Sequence, residues 1–109
     1  MAYDEGLADR VRSVLAGREG LVEKKMFGGL AFMLRGNMCC GVMGDELIVR
    51  VGPDGHAEAT SMPHTRAFDF TGRPMKGFVV VKPKGCAKDD ELAQWVGRGV
   101  AFAGSLPPK

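Results

Sequence analysis

Residues 22–51 read VEKKMFGGLAFMLRGNMCCGVMGDELIVRV, and this stretch decides the fold. Short apolar runs alternate here with pairs of turn-forming residues, namely Gly28-Gly29, Gly36-Asn37 and Gly44-Asp45. Such pairs are typical of the tight turns that join neighbouring strands. Because helical crossovers do not fit between runs this short, the strands must pair antiparallel. The stretch therefore predicts a meander of three antiparallel strands that ends at residue 51.

The flanking segments predict helices and a second pair of strands. Upstream, apolar residues recur at helical spacing behind Asp4, which is the expected N-cap of the first helix. Downstream, residues 56–62 predict a short helix and residues 67–70 and 77–82 predict strands, while Asp89 opens a last amphipathic helix. The predicted fold is a two-layer α+β domain of order α-β-β-β-α-β-β-α. Its five-stranded antiparallel sheet carries the first and last helices on one face.

The composition is that of a folded globular domain. Hydrophobic residues make up 45% of the 109 residues and charged residues 26%, outside the range of disordered chains. This length predicts one domain over 1–109. Polar residues such as Arg35 interrupt the most apolar region, which excludes a membrane-spanning helix, and the acidic N-terminal segment lacks a secretory signal pattern. The odd number of cysteines, three, predicts reduced thiols and a cytoplasmic location.

The cysteines and histidines show no pattern of metal or nucleophilic chemistry. Cys39, Cys40, Cys86, His56 and His64 have neither C-x-x-C nor H-x-x-x-H spacing, so we expect no metal site and no cofactor. Adjacent strand residues point to opposite faces, so Cys39 and Cys40 cannot hold one ion together unless the strand contains a bulge. We expect both to pack as small buried residues. The two histidines flank a proline-containing loop and are expected to be exposed, so no catalytic residue is assigned.

The pair Gly28-Gly29 invites comparison with phosphate-binding loops. A P-loop continues through G-K-[ST] into a helix, whereas these glycines lead into an apolar strand. We therefore expect a turn or bulge with positive φ, or a close approach of two backbone segments.

Several motifs follow one another along the chain in a fixed order. They are an amphipathic first helix, KMFGGLAF over 25–32, LIVRVG over 47–52, GRPM over 72–75, and a last helix that contains Trp95. As an ordered set they resemble the N-terminal domain of the TfoX/Sxy competence-regulator family. The residues that carry the resemblance are Met26, Phe27, Gly28, Gly29, Arg50, Gly72 and Trp95.

The resemblance implies the α+β fold derived above and supplies no catalytic residue. It also implies a part in transcriptional or competence-related regulation, exerted through a protein partner. Longer members carry a further C-terminal helical domain, whereas this sequence ends at Lys109 shortly after its last helix. We therefore expect a stand-alone domain.

The leading hypothesis is a non-enzymatic regulatory or protein-interaction module. Arg50 lies within an apolar strand, where a guanidinium group must reach solvent or find a carboxylate. We expect Arg50 to take part in binding a protein partner. The full candidate set for partner binding is Lys24, Lys25, Arg50, Arg73 and Lys76.

Two alternative functions remain open beside this hypothesis, and a homodimer is also expected. A nucleic-acid-binding domain is the first alternative, although a formal charge of +2 supplies little attraction for phosphates. Phe68, Phe70 and Phe78 are expected in the core rather than as platforms for stacked bases. The second alternative is a small enzyme in which glycines, a histidine and a cysteine meet in one pocket. Open sheet edges in so small a domain also favour a homodimer.

Overall fold

The computed structural model describes residues 3–26, 28–70 and 73–107, with backbone alone at 69–70 and 73–76. Helix α1 spans Glu5–Leu15. Strands β1 (Leu21–Met26), β2 (Gly29–Leu34), β3 (Asn37–Met43) and β4 (Glu46–Arg50) follow it. Helix α2 (His56–Thr60), strands β5 (Thr65–Phe70) and β6 (Arg73–Val81), a 3₁₀ turn over Pro83–Gly85 and helix α3 (Asp89–Gly104) complete the chain.

All the strands belong to one antiparallel sheet of order β1-β2-β3-β4-β6-β5. The predicted α+β class is confirmed, but the prediction of five strands is wrong, because the described residues form a sheet of six. The first meander has four strands rather than three. Its outermost strand, β1, exposes five of its six residues, so it carries no buried apolar alternation that would mark it in the sequence.

The two faces of the sheet are covered differently. On one face, α1 and α3 pack their buried residues against alternate residues of β2, β3, β4 and β6, together with Ala59 of α2, to form the larger core cluster. The opposite face holds a smaller cluster whose described members all come from strands: Ala31, Met38, Ile48, Phe68 and Val80, with Met33, Met43 and Phe78 partly buried beside them. The prediction that the first and last helices share one face is therefore confirmed.

Both long helices begin where the sequence predicts. Asp4 caps α1, since its Oδ1 accepts a hydrogen bond of 3.2 Å from the backbone N–H of Leu7. Helix α3 begins at Asp89 with three acidic residues in its first turn, where their negative charge interacts favourably with the positive end of the helix dipole. No helix among the described residues is long and apolar enough to cross a membrane.

Helix α3 lies directly against the backbone of β3 at Gly99. A Cβ atom at this position would overlap the carbonyl oxygen of Cys39 and come within 3.4 Å of Val49. The absence of a side chain thus sets how closely α3 approaches the sheet. This approach also brings Phe102, in the last turn of α3, to the end of β4.

Candidate functional site

Arg50 lies at the end of β4, directly opposite Phe78 on β6. Residues opposite each other in an antiparallel pair point to the same face. The guanidinium carbon of Arg50 lies 5.6 Å from the centre of the Phe78 ring and 5.3 Å from that of Phe102. Each distance fits a cation–π contact, which is worth about 0.5–2 kcal/mol depending on exposure. We call Arg50, Phe78 and Phe102 the arginine–phenylalanine cluster.

Two glycines make this cluster possible. A Cβ atom at Gly52 would overlap the ring of Phe102, and the φ of Gly52, +84°, is one that L side chains rarely adopt. Gly77 lies beside it, and its carbonyl oxygen accepts hydrogen bonds from the N–H groups of Val51 (2.8 Å) and Gly52 (3.0 Å). The backbone at the end of β4 is therefore fixed, and Phe102 lies against it.

Arg50 differs from four other arginines of the fold in its polar partners. Arg10, Arg12, Arg66 and Arg98 each form an ion pair with a carboxylate. Within the described ranges, Arg50 forms neither an ion pair nor a hydrogen bond, although it is half-buried. Its N–H groups are thus held in place by aromatic contacts and keep their capacity to bind an anion, for which a planar carboxylate has the matching geometry.

Among the predicted partner-binding residues, Lys24 and Lys25 lie apart from Arg50 in the structure. Lys24 and Lys25 are exposed on the outer strand β1, three strand spacings, or about 14 Å, from β4. As neighbours on one strand they point to opposite faces. Arg73 and Lys76 lie on β6, which is adjacent to β4, and their side chains fall outside the described part of the chain. Of the predicted residues whose side chains the structure describes, Arg50 is thus the one placed in a defined site.

The remaining motif residues have structural positions. Met26 ends β1 and is 38% exposed. Gly28 has φ +74°, and a Cβ at Gly29 would overlap the carbonyl oxygen of Val42, so the predicted turn with close backbone approach is confirmed. Trp95 is buried in α3 beneath the guanidinium group of Arg98, 5.1 Å from its ring centre. The predictions for Phe27 and Gly72 lie outside the described residues.

In the described part of the chain, the cleft that His64 borders contains no cysteine. His64 is exposed, as predicted, and borders a cleft of about 200 Å³ together with Glu91, Trp95 and Arg98. Ligand pockets usually measure about 300–1,000 Å³. His56 departs from its predicted exposure: at the start of α2 it is half-buried, and its Nε2 is buried without a hydrogen-bond partner among the described residues.

Cys39 and Cys40 depart from strand alternation. The register of β2 and β3 shifts between Phe32, which pairs with Cys40, and Met33, which pairs with Met38, so Cys39 is an extra residue in a bulge. Both cysteines consequently belong to the helix-covered core cluster. The expected burial is confirmed, and the bulge that the sequence analysis named as a condition is present. In the described part of the chain, no three His, Cys, Asp or Glu side chains form a group that could hold a metal ion.

Phe102 is the functional candidate that sequence reasoning missed, and Phe78 was expected to serve only the core. Phe102 follows the buried residues Trp95 and Gly99 of α3 at helical spacing, seven and three residues on, but it was not among the residues selected for the apolar stripe. Gly52 could have indicated this contact in the sequence, because it ends the motif that contains Arg50 and lacks a side chain where the ring lies.

The sequence matches a known protein family over most of its length. A family model of the TfoX N-terminal domain matches residues 13–103. This range includes Arg50, Gly52, Phe78 and Phe102. No curated protein matches the sequence, and no solved structure matches it either.

Proposed function

Because the chain belongs to the TfoX N-terminal domain family, we propose that it is a non-enzymatic regulatory module that binds a partner protein. In this proposal it acts in transcriptional or competence-related regulation, and Arg50 anchors the partner. The observation that carries the proposal is the placement of Arg50: two aromatic rings hold its guanidinium group, and no described residue neutralises it.

A guanidinium group held in this way is well suited to anchor an interface. A flexible arginine loses side-chain entropy when it is immobilised by binding, at a cost of about 0.5–1.5 kcal/mol. In the arginine–phenylalanine cluster, contacts with Phe78 and Phe102 meet part of that cost before any partner arrives. Arginine is also among the residues that most often dominate interface energies.

The chemistry of Arg50 specifies the partner's chemistry. Its five N–H donors form a planar fork that matches a carboxylate in two parallel hydrogen bonds. We therefore propose an acidic segment of a protein, with an Asp or Glu side chain at Arg50. Lys24 and Lys25 are exposed cations without an ion pair in the described structure, and since they lie three strands from Arg50, we propose that they do not share its carboxylate.

The test is affinity capture of the tagged protein from extract of its own cells, with and without nuclease and at low and moderate salt. Wild type is compared with Arg50→Ala and, as a matched control that removes one exposed cation elsewhere, with Lys24→Ala. We expect a nuclease-resistant protein that is retained by wild type and Lys24→Ala and lost by Arg50→Ala. Circular dichroism and thermal melts establish that each variant is folded.

Two results of this capture would contradict the proposal. Material that disappears with nuclease and weakens steeply with salt would indicate nucleic-acid binding, since released counterions set that salt dependence. Equal retention by wild type and folded Arg50→Ala would show that Arg50 has only a packing role against α3.

We also propose that the protein forms a homodimer through the outer strand β1. This strand exposes one backbone edge, and its apolar residues Val22 and Met26 are 55% and 38% exposed. Open edges of this kind pair readily with a second strand. Light scattering at micromolar concentrations tests the proposal, and a monomer alone would refute it.

A further inference from the structure

Cys39 and Cys40 form a pair of adjacent thiols whose sulfur atoms lie on the same side of the sheet. In regular strand geometry these side chains would point to opposite faces. The bulge in β3 removes that separation, and the two Sγ atoms lie 3.9 Å apart. Neither residue has exposed surface. Cys86, the third cysteine, is also buried but has no sulfur partner, so it is an internal control.

The two thiols have unequal surroundings. The Sγ of Cys39 lies 3.3 Å from the carbonyl oxygen of Phe32 and within hydrogen-bonding distance of Cys40. The hydrogen bond between the two thiols lowers the pKa of Cys39, burial opposes this shift, and Arg18 adds a smaller lowering contribution. The hydrogen bond with Cys39 and burial raise the pKa of Cys40. Of the two thiols, Cys39 is therefore the one that ionises more readily.

We propose that Cys39 and Cys40 are an oxidation site at which a hydroperoxide converts the two thiols into a reversible vicinal disulfide. This inference goes beyond the proposed function and does not depend on it. First, the Cys39 thiolate attacks the peroxide, the O–O bond breaks, and Cys39 becomes a sulfenic acid while the leaving oxygen departs as hydroxide and takes up a proton. The sulfur of Cys40 then attacks that of Cys39. The S–S bond forms, the S–O bond breaks, and the released hydroxide leaves as water with the Cys40 proton.

The balance of this reaction requires no further reactant. Two thiols lose two protons and two electrons, and one hydrogen peroxide takes them up to become two waters. A thiol reductant of the cell reverses it by thiol–disulfide exchange.

Geometry makes this disulfide easy to reduce. Adjacent Cα atoms across a trans peptide lie about 3.8 Å apart, whereas disulfides usually join Cα atoms about 4.4–6.8 Å apart. A Cys39–Cys40 disulfide is therefore strained, and strained disulfides have the higher reduction potentials found in labile, reversible sites. The bond is a modification rather than a permanent cross-link.

Oxidation also has a structural consequence. The sulfur atoms must close from 3.9 Å to about 2.05 Å, which changes the backbone at Cys39, on whose carbonyl group Gly99 of α3 rests. Because both thiols are covered, the reaction requires a local opening of the core beneath α3, of the kind by which folded proteins expose buried groups. We therefore expect the disulfide to weaken the packing of α3 against β3.

The experiment treats the reduced full chain with hydrogen peroxide under native conditions, followed by alkylation of remaining thiols and tryptic mass spectrometry. Cleavage after Arg35 and Arg50 yields peptide 36–50, which contains Cys39 and Cys40 and no other cysteine. We expect this peptide to lose two hydrogens and resist alkylation until dithiothreitol is added, while Cys86 stays alkylatable. The oxidised protein should remain free of intermolecular disulfides and melt at a lower temperature than the reduced protein.

Variants separate the two steps. In Cys40→Ser, the sulfenic acid on Cys39 has no resolving thiol and should be trapped by a dimedone-type reagent, whereas Cys86→Ser should form the disulfide as wild type does. Reaction of Cys39 and Cys40 only in denaturant, or loss of Cys86 at an equal rate, would overturn the proposal. If Cys40→Ser does not fold, wild type and Cys86→Ser still decide the outcome.

Discussion

Replacing Gly99 with alanine adds one methyl group where α3 touches the backbone of β3. That Cβ would lie under 3.0 Å from the carbonyl oxygen of Cys39, and the strand cannot move away as a flexible side chain tip would. Overpacking of this kind costs about 1–3 kcal/mol, and backbone contact places Gly99→Ala near the upper end. Alanine gains about 1 kcal/mol over glycine in a helix interior. We therefore expect a net loss of about 2 kcal/mol in the free energy of unfolding.

Gly97→Ala is the matched control, because a Cβ at Gly97 meets nothing within 4 Å in the same helix. It should stabilise the protein by up to about 1 kcal/mol. Urea unfolding monitored by Trp95 fluorescence and circular dichroism measures both variants. In thermal melts each kcal/mol corresponds to about 4–8 °C for a domain of this size. Equal stabilisation by both substitutions would refute the close seating of α3 on β3.

Three further substitutions test other parts of the account. Gly52→Ala combines positive φ with overlap of the Phe102 ring and should cost at least about 1–3 kcal/mol, more than Gly44→Ala, where φ is also positive but the space is open; equal losses would argue against the ring contact. Asp4→Ala removes the N-cap of α1 and should cost about 1 kcal/mol in urea unfolding, and no change would contradict the capping role. Burial raises the pKa of Cys86 above its ordinary value of 9.0, so the stability it contributes is complete below that pH and is lost as pH rises through the higher folded-state value. Cys86→Ser should therefore lose less stability than wild type between neutral pH and pH above 9.0, and identical pH profiles would contradict this.

The sequence was informative wherever structure follows from local chemistry. Asp4 and the acidic start of α3 mark the beginnings of helices. Asp4 accepts a hydrogen bond from a free backbone N–H group, and the acidic residues are attracted to the positive end of the helix dipole. Gly28 and Gly29 mark a turn because the backbone there needs positive φ and close approach. The choice of Arg50 as a special residue also came from a local conflict, that of a cation in an apolar strand.

Other features depend on pairing and packing between distant residues. Strand β1 was missed because an exposed edge strand is held by its backbone pairing with β2 and shows little apolar pattern. The bulge at Cys39 depends on hydrogen-bond register, which alternation does not encode. Phe102 reaches Arg50 only because Gly52 and Gly99 lack side chains at two separate contacts. These relations become visible only in the assembled fold.

The most direct test of the central claim is the affinity of the captured partner protein for wild type and for Arg50→Lys. Lysine keeps the positive charge but lacks the planar fork of donors that two rings hold in the arginine–phenylalanine cluster. The account predicts a Kd raised about tenfold or more, equivalent to about 1.4 kcal/mol, with Lys24→Ala unchanged. An unchanged Kd for a folded Arg50→Lys would contradict the claim that Arg50 anchors the partner.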